Sequence, residues 1–167
     1  MKKSNKIFIS ASVIVALIIL LNSFSKISES SDQSINWITD FAQLEALMKE
    51  NPKPIMYDIH TKWCGPCNQM KKNVFSKAKI VDYLNENYYA VYLDAERKDD
   101  VIFRNKTFNW TPNRMGGYNA VADFVSDNQT EAYPTIVIMN KDFEVKYVEA
   151  GYHTVKDLYY VLNKHLN

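Results

Sequence analysis

The sequence predicts an α/β sandwich, a mixed central sheet with helices on both faces. Three observations lead there. Segments of helical and of strand-like patterning alternate along the chain. A buried-type strand and a partner strand follow one another across a short turn near the C-terminus. About 130 residues follow a polar N-terminal stretch, enough for one domain with a substantial core.

The chain opens with three lysines in Met1 to Lys6, followed by an apolar run from Ile7 to Leu21 broken only by Ser10 and Ser12. A basic start and a short apolar run make an export signal. Fifteen helical residues reach about 22 Å, short of the roughly 30 Å hydrocarbon core, so residues 1–25 read as a signal peptide or as an N-terminal membrane anchor. Either way the lysines stay in the cytoplasm and the remainder faces outward, in the periplasm or at the outer face of the membrane. Residues 26–35 are serine-rich and read as a linker, and 36–167 as the domain. The formal net charge of +1 gives no reason to expect a nucleic-acid partner.

Within the domain, Asp40 with Gln43 marks a helix start, and Phe41, Leu44, Leu47 and Met48 recur at helical spacing until Asn51-Pro52. Pro54 to Ile59 reads as a central strand. It leads into Trp63-Cys64-Gly65-Pro66-Cys67, which holds the only two cysteines of the chain. This run opens a helix that passes Met70, with a break expected near Ser76, a good N-cap, and renewed helical periodicity to Asn87. Tyr88 to Asp94 alternates as the next strand. Val101 to Trp110 suggests an extra hairpin, Asn113 to Gly117 a turn, and Tyr118 to Val125 a helix. Thr135 to Met139 is a buried strand, and Glu144 to Glu149 its hairpin partner. Thr154 with Asp157 caps a last helix.

Two thiols three positions apart are suited to redox exchange. At a helix N-terminus, unpaired N–H groups and the macrodipole favour a thiolate, which makes Cys64 the nucleophile. Cys67, one turn further in, is expected to be more buried and less acidic, yet close enough to close a disulfide. A zinc site would need ligands from among His60, His153, His165 and the carboxylates, and no metal is expected. A purely structural disulfide over so short a loop would gain little stability. Trp63 offers a large flat surface that covers the thiols or meets a partner.

Trp63 to Cys67 resembles the active site of the thioredoxin family. The resemblance extends to Asp58, six residues before Cys64, where the family carries a buried acid, and to Tyr133-Pro134-Thr135, which resembles its cis-proline loop. It covers roughly residues 36 to 167 and implies a thioredoxin-like sandwich with an insertion at about 95–119, before the proline loop. It further implies a redox-active Cys64/Cys67 pair, Asp58 as the proton acceptor for Cys67, and substrate contacts from Trp63, Tyr133 and Pro134. Many members place a lysine on the strand beside the buried acid; here Tyr92 stands closest to that place. Phe103, Phe108 and Trp110 in the insertion read either as an apolar surface for partners or as side chains packing the insertion onto the domain.

The expected activity is thiol-disulfide exchange without a cofactor, most simply the reduction of protein disulfides outside the cytoplasm. Gly-Pro between the cysteines resembles the reducing members. A reductant in an oxidising compartment must be recharged, which implies a membrane-embedded thiol electron donor. The alternatives are a disulfide oxidant or isomerase on the same fold, and a non-catalytic thiol or metal carrier.

Overall fold

The computed structural model describes residues 34–114 and 116–166, so the expectations for residues 1–25 and for most of the linker lie outside the described residues. The elements are α1 (Phe41–Glu50), β1 (Ile55–His60), α2 (Gly65–Asn73), α3 (Ala78–Asn87), β2 (Tyr89–Asp94), β3 (Val101–Phe103), β4 (Lys106–Phe108), β5 (Trp110–Thr111), β6 (Tyr118–Asn119), α4 (Val121–Val125), β7 (Thr135–Met139), β8 (Val145–Ala150) and α5 (Val155–Lys164).

Four strands form the central sheet in the order β2-β1-β7-β8. The β1–β2 pair is parallel, while β1–β7 and β7–β8 are antiparallel, so the sheet is mixed. Strand β1 is buried along its whole length, as expected of a central strand covered on both faces. Alternation along the strands separates two cores. Ile55, Tyr57, Ile59, Val91, Leu93 and Val137 pack against Phe41 and Leu44 of α1 and against Val121 and Val125 of α4. Met56, Ala90, Ile136 and Ile138 pack against Met70 of α2, Ile80 and Leu84 of α3, and Leu158 and Leu162 of α5.

Local chemistry sets the helix ends. The Asp40 carboxylate accepts from the Ala42 N–H at the start of α1, and Thr154 and Asp157 close a reciprocal capping box on α5. The break after α2 falls differently from the sequence reading. Lys77, not Ser76, is the N-cap of α3, because the Ser76 hydroxyl donates backward to the Lys72 carbonyl at the end of the preceding helix.

The insertion holds two short ribbons instead of one. Strands β3 and β4 pair around Arg104 and Asn105, both with positive φ, the conformation that two-residue hairpin turns demand. Strands β5 and β6 pair separately, Trp110 with Asn119 and Thr111 with Tyr118. The helix expected from Tyr118 begins only at Val121, since Tyr118 and Asn119 are drawn into β6 and the Asn119 side chain accepts from the Val121 N–H. The same side chain donates to the Asp99 carbonyl and so ties the two ends of the insertion together. Phe103 is fully buried and meets Phe41 and Phe143 edge-on, and Phe108 packs on Phe124. These two aromatics anchor the insertion instead of offering a surface.

Candidate active site

The site forms where β1 ends and α2 begins, at the C-terminal edge of the sheet, the usual place for ligand chemistry in open α/β sheets. Strand β1 passes through Thr61 and Lys62 into the N-terminus of α2, where Cys64 is the N-cap and Pro66 occupies the first turn. Proline is tolerated there because its missing N–H would have no helical partner. Cys64 and Cys67 are joined as a disulfide with their Cα atoms 5.3 Å apart, within the range such bonds require. The Cys67 N–H donates to Cys64 Sγ at 3.1 Å. A thiolate at this position therefore meets both a directed N–H and the positive end of the helix, with no acidic side chain in the first turn to oppose it.

Exposure does not separate the cysteines in the way their spacing suggests. Cys64 is 2% exposed and Cys67 5%. Their surroundings do differ. Cys64, Gly65 and Pro66 line an open groove of about 570 Å³, and Cys67 does not. Cys67 precedes Met70 by three residues, which puts both on the helix face turned toward the sheet.

Asp58 lies on that same sheet face, two positions from Met56 along β1, and is buried. Among the described residues its Oδ1 has no hydrogen-bond partner. Burial in these apolar surroundings pushes its pKa up to about 7, since desolvation disfavours the carboxylate. Tyr92 of β2 stands beside it in the β1–β2 pair. The His60 ring stacks on Tyr92 with centroids 3.6 Å apart, and the Lys71 ammonium lies over the same Tyr92 ring, 5.6 Å from its centroid. Burial lowers the pKa of His60, opposed by its contact with the Asp58 carbonyl and by Asp94.

Trp63 is 60% exposed at the rim. Its Nε1 donates to Glu96 at 2.9 Å, and its ring meets Tyr133 edge-on at 6.0 Å. Tyr133 lines the groove, and the Tyr133–Pro134 peptide bond is cis. The Pro134 carbonyl accepts from the Gly151 N–H, which fixes the loop to the end of β8. The structure thus gathers Trp63, Cys64 and Tyr133 around one groove, with Cys67 behind the first cysteine and Asp58 on the sheet face beneath α2.

Sequence reasoning missed part of the groove. Glu96, just past the end of β2, and Gly117 and Tyr118 of the insertion line it together with Glu131. The signal that points to Glu96 is its place beyond the C-terminal end of a strand next to the motif strand. Among the described residues, no group of three His, Cys, Asp or Glu side chains is arranged to hold a metal ion.

The family model of a thioredoxin-like domain matches residues 41–166. The thiol:disulfide interchange protein DsbD of Campylobacter jejuni is 33% identical over 88 residues, which cover 52% of this chain and 15% of that protein. The chain therefore corresponds to a small part of that relative. Among solved structures, a DsbH oxidoreductase superposes with a TM-score of 0.56 at 14% identity, covering 83% of this chain and 89% of the other. A thioredoxin from Thermus thermophilus gives a TM-score of 0.56 at 16% identity over 78% of this chain and 86% of its own. At such identities these structures speak for the fold alone.

Proposed function

The chain belongs to the thioredoxin-like family, and from that premise we propose that it reduces protein disulfides outside the cytoplasm through the Cys64/Cys67 pair. The observation that carries the reading is a disulfide whose first cysteine caps a helix at the floor of an open groove.

In the dithiol form, the Cys64 thiolate attacks one sulfur of a substrate disulfide. The substrate S–S bond breaks, a mixed disulfide forms, and the departing substrate thiolate takes up a proton. Cys67 then passes its proton to Asp58 and attacks Cys64 Sγ. The second substrate sulfur leaves as a thiolate and takes up a proton, Asp58 gives its own proton back to solvent, and Cys64–Cys67 is left as the disulfide. Two electrons have passed from the protein to the substrate. A buried acid with a pKa of about 7 is suited to that proton transfer near neutral pH. Trp63, Tyr133 and Pro134 are assigned to holding the substrate chain, in keeping with the groove that Trp63 and Tyr133 line and the cis Tyr133–Pro134 bond that follows it.

The reductive direction is supported by Gly65-Pro66 between the cysteines. The similarity to a thiol:disulfide interchange protein supports protein thiols and disulfides as partners. The lysines of Met1 to Lys6 and the apolar run after them support export, with residues 1–25 as signal peptide or anchor and 36–167 as the working domain. In that compartment the disulfide must be reduced again by a thiol donor in the membrane.

The test is the reduction potential of the pair together with turnover on insulin. A potential near about −270 mV with catalysed insulin reduction supports the reductase, and a value near about −120 mV makes the protein an oxidant.

A further inference from the structure

The groove above Cys64 is built from two sources. One wall is the helix start and the proline loop, and the other comes from the insertion through Gly117, Tyr118 and Asn113. That second wall is packed closely where Gly117 meets Trp110. Gly117 is buried with φ at +145°, and a Cβ there would overlap the Trp110 indole, which lies against the glycine backbone. The β5–β6 pairing and the contacts of Asn119 with the Asp99 and Ala95 carbonyls, the latter just past β2, hold the same segment in place.

The charged side chains lining the groove are both acidic, Glu96 and Glu131. Among the described residues neither belongs to an ion pair. Glu96 is oriented by the Trp63 Nε1–H that it accepts, and Glu131 is exposed on the approach to Tyr133. The nearby lysines line an adjoining hollow that shares Trp63, Glu96 and Gly117 with the groove but lie outside the groove lining itself; there Lys62 pairs with Asp94 at 3.8 Å and Lys98 lies over the Trp110 ring at 5.6 Å. A substrate segment in the groove therefore meets two carboxylates and no cation from its lining.

From this charge pattern we infer that the groove selects extended cysteine-bearing segments with a lysine or arginine beside the half-cystine, and that Glu96 and Glu131 are its specificity-determining residues. The inference rests on the reading of Cys64/Cys67 as a protein-disulfide reductant and adds which disulfides that reductant prefers. Complementary charge at a partly exposed rim acts mainly by favouring encounter with matching segments and disfavouring acidic ones. Exposed pairs contribute modestly, so two of them correspond to a preference of about three- to tenfold.

The test uses two disulfide-linked peptides identical except for arginine or glutamate on either side of the cysteine. Both are offered to the dithiol form of the full chain and of the Glu96→Gln/Glu131→Gln double variant. Glutamine keeps the size of each side chain and an acceptor for Trp63 Nε1, and the ratio of the two rates on one sample does not depend on how much of a variant folds. The wild type reduces the arginine peptide about three- to tenfold faster at low salt, and the ratio falls to within about twofold in the double variant, or in wild type at about 0.5 M salt. Equal rates in wild type, or a preference that survives in the double variant, overturn the selection while leaving the reductase reading in place. Failure to reduce either peptide overturns the reductase reading and the selection with it.

Discussion

Asp58 and Tyr92 stand opposite one another across the parallel β1–β2 pair, on the sheet face that α2 covers. A buried carboxyl thus has an uncharged phenol as its cross-strand neighbour, and the charge of Asp58 in turn helps raise the Tyr92 pKa, after burial itself. Desolvation with no compensating cation keeps Asp58 protonated up to about pH 7.

Stability should record this proton. Asp58 titrates near 3.8 ordinarily and near 7 in the fold, so between those values the native state holds a proton that the unfolded chain releases. The stability linked to Asp58 is fully present below about pH 4 and is lost as pH rises through about 7, a total of roughly 4 kcal/mol. Asp58→Asn removes the titration. Chemical denaturation of the oxidised protein should find the two forms alike near pH 4 and the asparagine variant the more stable by up to that amount at pH 8. A wild-type stability that rises between pH 5 and 8 relative to the variant contradicts the assignment.

Replacing the phenol with a cation should retune the acid. In Tyr92→Lys an ammonium faces Asp58 across the strands, and an opposite charge at such range lowers a carboxyl pKa by about one to three pH units. The pH midpoint of mixed-disulfide resolution should fall by that amount, read by rapid-quench kinetics, while the rate of the first attack keeps its pH dependence. An unmoved midpoint would separate Asp58 from the second step.

The glycine under Trp110 can be tested directly. Gly117→Ala puts a methyl group into the indole and asks an L-residue to hold φ at +145°, which together should cost about 1–3 kcal/mol. Thermal unfolding should show the loss, and the fluorescence of Trp110 should change as its ring is displaced. A variant as stable as wild type would mean that the insertion wall yields easily.

Much of this was legible in the sequence because its signals are local. Trp63 to Cys67 fixes a helix start through proline and capping chemistry, Asp40 and Thr154 announce their helices, and the apolar run of β1 carries Asp58 into the interior whatever surrounds it. The insertion was not legible in the same way. Its strands are two or three residues long, too short for periodicity to register, and Tyr118 and Asn119 join a ribbon only because Trp110 and Thr111 come back to meet them. The burial of Cys64 belongs to the same class. Helix position sets its electrostatics, but its coverage depends on a groove assembled from segments far apart in sequence. Glu96 shows no motif of its own; only its place just past the end of β2 points to it, and the hydrogen bond from Trp63 that orients it belongs to the fold.

The most direct measurement is the trapping of partners by single-cysteine variants expressed in the native host. In Cys67→Ser the first attack by Cys64 remains and the internal route to release is gone. Mixed disulfides on Cys64 should accumulate as higher-mass bands on non-reducing gels and vanish with reductant. Cys64→Ser should trap far less, because Cys67 lacks both the helix terminus and access to the groove. Equal trapping by the two variants, or stronger trapping through Cys67, would contradict the account.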